Sequence, residues 1–254
     1  MRNMNRRNFL KISSASLFSL TLPYGMAKHP YIEYAVNNFK INDWQHGVIP
    51  YKPYKHHEEL AQIWDNNKLI IVNKYRQGGF STFLVLRALY ECIHKENQKF
   101  LFLHINDSAA SRNKEILDFA IGHLPNNPNI IRNNSHFVEF KNGSMLWFGT
   151  PISGCGRSFN YIIFDEAAYM HDLEQWWKAY YPTISLGGKA LIVSNPNGDN
   201  YFYELYQGAL DKKNKFYPYH PNYKEFFSEE KILEMRKNVG EIRFLREFEG
   251  CFIH

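Results

Sequence analysis

Two stretches of the chain hold residue types whose combination could handle a nucleoside triphosphate. Ile70 to Thr82 runs Ile-Ile-Val-Asn-Lys74-Tyr-Arg76-Gln77-Gly78-Gly79-Phe80-Ser81-Thr82, and Tyr161 to Ala168 runs Tyr-Ile-Ile-Phe-Asp165-Glu166-Ala-Ala. Each begins with an apolar run of strand length. The first opens onto a Gly-rich turn ending in two hydroxyl residues, and the second ends in adjacent carboxylates. A phosphate cradle at one strand end, with a metal ligand and a general base at another, is the plan of a triphosphate site. Gly78 and Gly79 can adopt positive φ and let backbone N–H groups close on an anion. A helix entered at Ser81 aims its positive end at the same place, with the Ser81 hydroxyl available to Mg2+.

The first stretch departs from G-x-x-x-x-G-K-[ST]. Phe80 holds the lysine position, and no glycine lies at the upstream spacing. Lys74 and Arg76, on the amino-terminal flank, are the positive charges left to serve an anion. An ordinary strand-turn-helix connection is the alternative for this segment. For the second stretch the alternative is a helix start capped by Asp165. Against it, two ionised carboxylates at the end of a buried strand need a cation or a metal.

The elements that position these residues follow from periodicity. Residues 28–55 form a lead-in with one short helix, and a second helix covers His56–Asp65. Strand Leu69–Asn73, the cradle and a helix from Thr82 to Lys95 come next, then strand Lys99–Ile105. Asp107 opens a helix that carries its N-cap candidate there and runs to about His123. Asn126 to Asn134 reads as loop. His136–Phe140 and Met145–Gly149 pair around Asn142-Gly143 as a hairpin. A Gly/Ser-rich loop, Thr150 to Phe159, carries Arg157 into the Asp165-Glu166 strand. Asp172 to Tyr181 is a helix ended by Pro182. Strand Lys189–Val193 stops at Ser194-Asn195-Pro196-Asn197-Gly198, a turn cluster. Asn200–Leu210 reads helical, Phe216–Tyr219 extended, and Ser228–Phe248 as one or two helices. Strands alternating with helices imply an α/β fold, a mainly parallel sheet with helices on both faces. Such sheets bind ligands at the carboxyl ends of their strands, where the cradle, Asp165-Glu166 and Ser194-Asn195 all fall.

Composition sets the outer bounds. The 254 residues are 44% hydrophobic and 22% charged, the balance of a folded globular chain. A net charge of +5 suits a polyanionic partner without requiring one. Cys92, Cys155 and Cys251 are odd in number and widely spaced, which points away from a disulfide framework or zinc site. At the amino terminus, Arg6-Arg7 precedes a mildly apolar run, Ile12 to Leu22, and a small-x-small site ending at Ala27. This is the pattern of a twin-arginine export signal, and the run is too short and polar to span a bilayer. A basic, loosely helical arm is the alternative, and a start at Met26 would remove the signal altogether.

From about Tyr51 to Phe252 the chain resembles the large terminase subunit of tailed bacteriophages, the ATPase motor that drives DNA into a capsid. The likeness rests on Lys74-x-Arg76-Gln77-x-Gly79-x-Ser81-Thr82, the Asn142-Gly143-Ser144 hairpin, Ile-Ile-Phe-Asp165-Glu166-Ala-Ala-Tyr169 and Ser194-Asn195-Pro196-Asn197-Gly198. Phe244-x-x-Glu247-Phe248-Glu249-Gly250-x-Phe252 closes it. It implies a P-loop NTPase fold of the ASCE, RecA-like kind over residues 56–254, behind an arm at 1–27 and the lead-in at 28–55. It further implies ATP and Mg2+ as cofactors, host cytoplasm as the location and a ring of copies on the portal protein. Double-stranded DNA and the terminase small subunit are the other partners implied. By the resemblance, Lys74 and Arg76 contact phosphates beside Gln77, Gly78, Gly79, Phe80, Ser81 and Thr82. Ser81 and Asp165 hold Mg2+, Glu166 activates water, and Ser194 and Asn195 sense the γ-phosphate.

Some positions depart from that pattern. The family's arginine before a glycine, about ten residues ahead of the Asp, is here Cys155 before Gly156, and Arg157 is the substitute at hand. The adenine-reading glutamine is replaced by His56 or His57, which read as a solvated helix start. The chain stops where the ATPase domain of a full terminase ends, so no nuclease activity is expected. A cytoplasmic ATP-driven motor conflicts with the export-like segment. The other readings are a helicase-like P-loop ATPase and an exported, non-catalytic protein.

Overall fold

A computed structural model describes residues 29–154 and 156–253. The export-like segment with its Ala27 site, and Cys155, lie outside the described residues.

The chain enters through helix α1 (Pro30–Asn38), with Pro30 in its first turn and the His29 ring accepting the Tyr31 N–H. A two-stranded sheet follows, β1 (Lys40–Asp43) antiparallel to β2 (Gly47–Pro50). This hairpin was not expected. Its strands are short and mostly exposed, and its turn is made by the Asp43 carboxylate accepting the N–H groups of Gln45 and His46. Helix α2 (Lys55–Asn66) then leads to the main sheet.

That sheet has eight strands in the order β10-β3-β9-β8-β4-β7-β6-β5. Its members are β3 (Leu69–Asn73), β4 (Lys99–Leu103), β5 (Ile130–Asn133), β6 (Phe137–Phe140), β7 (Met145–Gly149), β8 (Tyr161–Asp165), β9 (Lys189–Ser194) and β10 (Tyr217–Tyr219). From β10 to β7 every neighbouring pair is parallel, and β6 and β5 continue antiparallel at one edge. The connecting helices are α3 (Phe80–His94), α4 (Asp107–Gly122), α5 (Leu173–Ser185) and α6 (Tyr201–Leu210). Helices α7 (Glu229–Val239) and α8 (Glu241–Glu247) close the described chain.

Side chains alternate across the central strands and fill two cores. Ile70, Val72, Phe100, Phe102, Ile163, Leu191 and Val193 face one core with α1 to α4 and Phe244 of α8. Ile71, Leu101, Leu103, Ile162, Phe164, Ala190 and Ile192 face the other, with α5 and α6. The alternation confirms a mainly parallel sheet covered on both faces. Within the first core, Arg87 is 2% exposed and pairs with Glu91 at 2.6 Å and with Asp65. Its guanidinium lies over the rings of Tyr31, Trp64 and Tyr90.

Four expectations need correction. Helix α3 begins at Phe80 rather than Thr82, because Gly79 supplies the left-handed N-cap (φ 69°). Helix α4 is capped by Asn106, whose side chain accepts the Ala109 N–H, not by a residue from Asp107 onward. Residues 130–133 form an edge strand, held by an Arg132–Glu139 pair at 2.5 Å, instead of loop. Pro182 lies inside α5, and burial of Ile184 beyond it carries the helix past the missing N–H.

Candidate active site

The carboxyl ends of β3, β9 and β8 lie side by side, with Asn73 opposite Ser194 and Asp165 opposite Val193. The polar residues that follow these strands therefore share one rim. Ser81 Oγ donates to Asp165 Oδ2 at 2.9 Å, joining residues 84 apart in sequence. Lys74 Nζ donates to Glu166 Oε1 at 2.7 Å and to Asn195 Oδ1 at 3.0 Å. The three turns expected to meet do meet.

The cradle is built by backbone. Gln77 (φ 63°) and Gly79 take left-handed conformations. The sequence placed that freedom at Gly78 and Gly79; Gly78 keeps an ordinary φ and is glycine for space. A Cβ on Gly78 would lie 2.5 Å from the Phe80 ring and 2.9 Å from the Tyr75 ring. From Gln77 through Ser81 the N–H groups have no acceptor among the described residues. These donors and the amino end of α3 make an anion-binding concavity. Phe80 contributes only its backbone: its ring is buried against His56, His57 and Tyr75. Thr82 sits one residue further into α3, half-buried.

Asp165 is buried, and its Oδ2 accepts from Asn113 Nδ2 at 3.1 Å as well as from Ser81. The same Asn113 nitrogen lies 3.4 Å from His104 Nε2, and burial holds His104 below its ordinary pKa of 6.5. Neither Asn113 nor His104 was singled out from sequence. Asn113 interrupts the buried face Ala110, Leu117, Ala120 of α4, and a polar residue in such a stripe was the available signal. Glu166 takes a left-handed conformation (φ 57°, ψ 40°), which costs a non-glycine residue about 1–3 kcal/mol. The strain turns its carboxylate toward Lys74 rather than along the strand.

Ser194 ends β9 and Asn195 follows it, and both side chains bond within the protein. Ser194 Oγ accepts the Ala168 N–H at 3.1 Å, and Asn195 Nδ2 donates to the carbonyls of Lys74 and Glu247. Only Asn195 Oδ1 reaches the cluster, through Lys74. Arg76 is half-exposed and turned to Glu247, 3.4 Å from its carboxylate, while its own N–H donates to the Glu247 carbonyl at 2.9 Å. Arg157 stands apart from the cluster, exposed, with its guanidinium 4.0 Å from the centre of the Trp147 ring on β7.

His56 and His57 are not a solvated helix start. Both are buried, and both ring Nε2 atoms contact the Gly78 carbonyl, at 2.7 and 2.9 Å. Their burial lowers both pKa values, that of His57 strongly. His57, Leu60, Ala61 and Trp64 follow the i, i+3, i+4, i+7 spacing of one buried face, a signal the charged Lys-His-His-Glu-Glu run obscured. His56 also borders a cavity of about 190 Å3 shared with Tyr54, Glu59 and Phe226.

No group of three or more His, Cys, Asp or Glu able to hold a metal occurs among the described residues. The Ser81–Asp165 pair is instead a two-oxygen site. It fits a hard cation such as Mg2+ that takes its remaining ligands from phosphate and water.

A family model described as terminase large subunit, T4likevirus-type, N-terminal, matches residues 76–251. The large terminase subunit of Escherichia phage T5 is 32% identical over 124 residues, covering 45% of this chain and 28% of that protein. Its counterpart from Thermus phage G20c is 30% identical over 115 residues, covering 39% of this chain and 24% of that protein. The matches thus span about a quarter of the curated relatives' length. Among solved structures, the large terminase ATPase domain of Thermus phage P74-26 superposes with a TM-score of 0.66 at 20% identity, covering 80% of this chain and 95% of that one. The large terminase of a thermophilic bacteriophage, in complex with ATP-gamma-S, gives 0.62 at 16%, covering 80% and 53%. The fold is the RecA-like α/β fold of these domains.

Proposed function

The chain belongs to the terminase large-subunit family, and from that premise we propose that it hydrolyses MgATP to translocate double-stranded viral DNA into a procapsid. The observation that carries the reading is the 2.9 Å contact of Ser81 with Asp165, whose next residue, Glu166, pairs with Lys74. That a structurally similar thermophilic-phage terminase was solved with ATP-gamma-S supports a nucleotide as the ligand.

The backbone donors from Gln77 to Ser81 take the phosphate oxygens, and Lys74 adds a mobile positive charge beside them. Ser81 and Asp165 would hold Mg2+, which when bound would neutralise charge on the phosphate oxygens. Asn113 donates to Asp165 Oδ2, the oxygen that Ser81 also contacts, and so helps to hold the carboxylate in place. Glu166 is the general base: it orients a water and holds its proton on the carboxylate. In the present geometry Lys74 occupies Glu166. An arriving triphosphate competes for Lys74, and its transfer to phosphate releases Glu166 for water. Asn195 keeps Lys74 on the rim during that exchange. It also connects the rim to α8 through the Glu247 carbonyl. Arg157, remote from its own cluster, serves as the finger of a neighbouring copy in a ring on the portal. Arg76 braces the cradle through Glu247 and reaches phosphate only if that pair opens.

The test is ATP hydrolysis by the full chain with and without double-stranded DNA and portal protein, beside Glu166→Gln. The reading expects DNA-stimulated hydrolysis that the variant lacks. Hydrolysis tied to strand displacement, or equal in both proteins, rejects it.

A further inference from the structure

The Gly78 carbonyl, at the bend of the cradle, has two imidazoles aimed at it. A carbonyl oxygen only accepts, so Nε2 of both His56 and His57 carries hydrogen. On the far side of His57, Nδ1 accepts the Tyr54 N–H at 3.3 Å and lies 3.0 Å from the Tyr51 hydroxyl. His56 Nδ1 lies 3.0 Å from the Tyr75 hydroxyl. His57 is therefore a neutral Nε2–H tautomer, and burial, which lowers the His56 pKa, keeps His56 in the same form with its Nδ1 taken by Tyr75. Every nitrogen of the pair is committed within the protein, and none is left to read a base.

The consequence lies one atom further on. In a trans peptide the carbonyl of Gly78 and the N–H of Gly79 point in opposite directions. Two donors holding the oxygen inward turn the Gly79 N–H outward, among the cradle donors that have no acceptor among the described residues. The glycine pair would otherwise permit that peptide to flip and present its oxygen to the anion. We propose that His56 and His57 are positioning residues that lock the Gly78–Gly79 peptide with its N–H toward a phosphate oxygen. The packing agrees: the His56 ring lies against Phe80 and Tyr75, the same two rings that a Cβ on Gly78 would strike. An apolar residue in the lysine position of the cradle thus has a use. Phe80 walls in the histidines that orient the loop.

The proposal rests on the triphosphate reading above, and its test separates the two. In the full chain, His56→Phe with His57→Phe keeps both rings and removes both donors. ATP and ADP affinity, measured with Mg2+ present, should fall about tenfold or more, the usual scale for a lost hydrogen bond to a charged group. The loss should appear in KM, with kcat changed far less, because the bond is made in ground and transition states alike. Restoring one donor with His56→Gln beside His57→Phe should recover most of the affinity, whereas a merely structural role would lower Tm without such rescue. Nitrogen-15 NMR of the wild-type histidines supplies a readout independent of nucleotide and of variant folding, and both rings should appear as Nε2–H tautomers at neutral pH. An Nδ1–H tautomer at either ring, or full affinity in the double phenylalanine protein, overturns the clamp alone. Wild-type protein that binds no ATP overturns the triphosphate reading and the clamp with it.

Discussion

Lys74 and Glu166 hold each other at 2.7 Å, and this pair makes the sharpest statements about single residues. Glu166→Gln should retain ATP binding and lose turnover by about a hundredfold or more, the scale of a lost general base. Binding and single-turnover assays check the two halves separately. Lys74→Ala should weaken ATP binding by about tenfold or more, as a charge-assisted contact is removed. Arg76→Ala should weaken it less, because that side chain is spent on Glu247. A larger loss at Arg76 than at Lys74, in parallel titrations, contradicts this division. Asp165 and Glu166 could be singled out from sequence because the end of a buried strand has no structural use for two carboxylates, and Ser81 because its hydroxyl closes a Gly-rich turn. The roles of Gln77 and Gly78 were not, since which residue of a tight turn takes positive φ depends on rings that arrive from elsewhere.

At the scale of elements, strands were read well and polar edges poorly. The four-residue apolar run of β3, Leu69 to Val72, and the turn residues at the β6–β7 hairpin carry their own signal. Strands β1, β2 and β5 have only four residues each and are mostly exposed, and their pairing comes from turn hydrogen bonds and a cross-strand ion pair. Helix α5 continuing through Pro182 is a tertiary override of local preference. Between α2 and α3, the buried pair Arg87–Glu91 reaches the exposed Asp65 and ties both helices together. Arg87→Leu should lower stability by about 3–5 kcal/mol, because Glu91, 1% exposed, keeps its charge and loses its buried partner. Denaturant unfolding measures this, and a change near zero would show that Lys95 alone satisfies Glu91.

For the molecule as a whole, alternation of strand and helix gave the fold class, and the parallel register brought distant turns to one rim. What sequence could not supply was the interior behind that rim, the buried His56, His57 and His104. Burial, the largest cause at each, holds all three below their ordinary pKa of 6.5. Once pH drops below that value the unfolded chain takes up protons that the folded chain refuses. The stability these groups contribute is therefore present above 6.5 and drains away as pH falls toward the folded values. Tm from calorimetry should decline between about pH 7.5 and about pH 5.5, and a flat or rising Tm would contradict the neutral assignments. No helix among the described residues is long and apolar enough to cross a membrane. The proposed metal-dependent triphosphate site joins residues 84 positions apart. A double-mutant cycle on the Mg2+ dependence of ATP binding, using Ser81→Ala, Asp165→Asn and the pair together, tests that joining. Each single change should abolish most of the Mg2+ effect, and the double change should add little. Strictly additive losses, or Mg2+ dependence that survives both substitutions, would show that these two residues do not share a site.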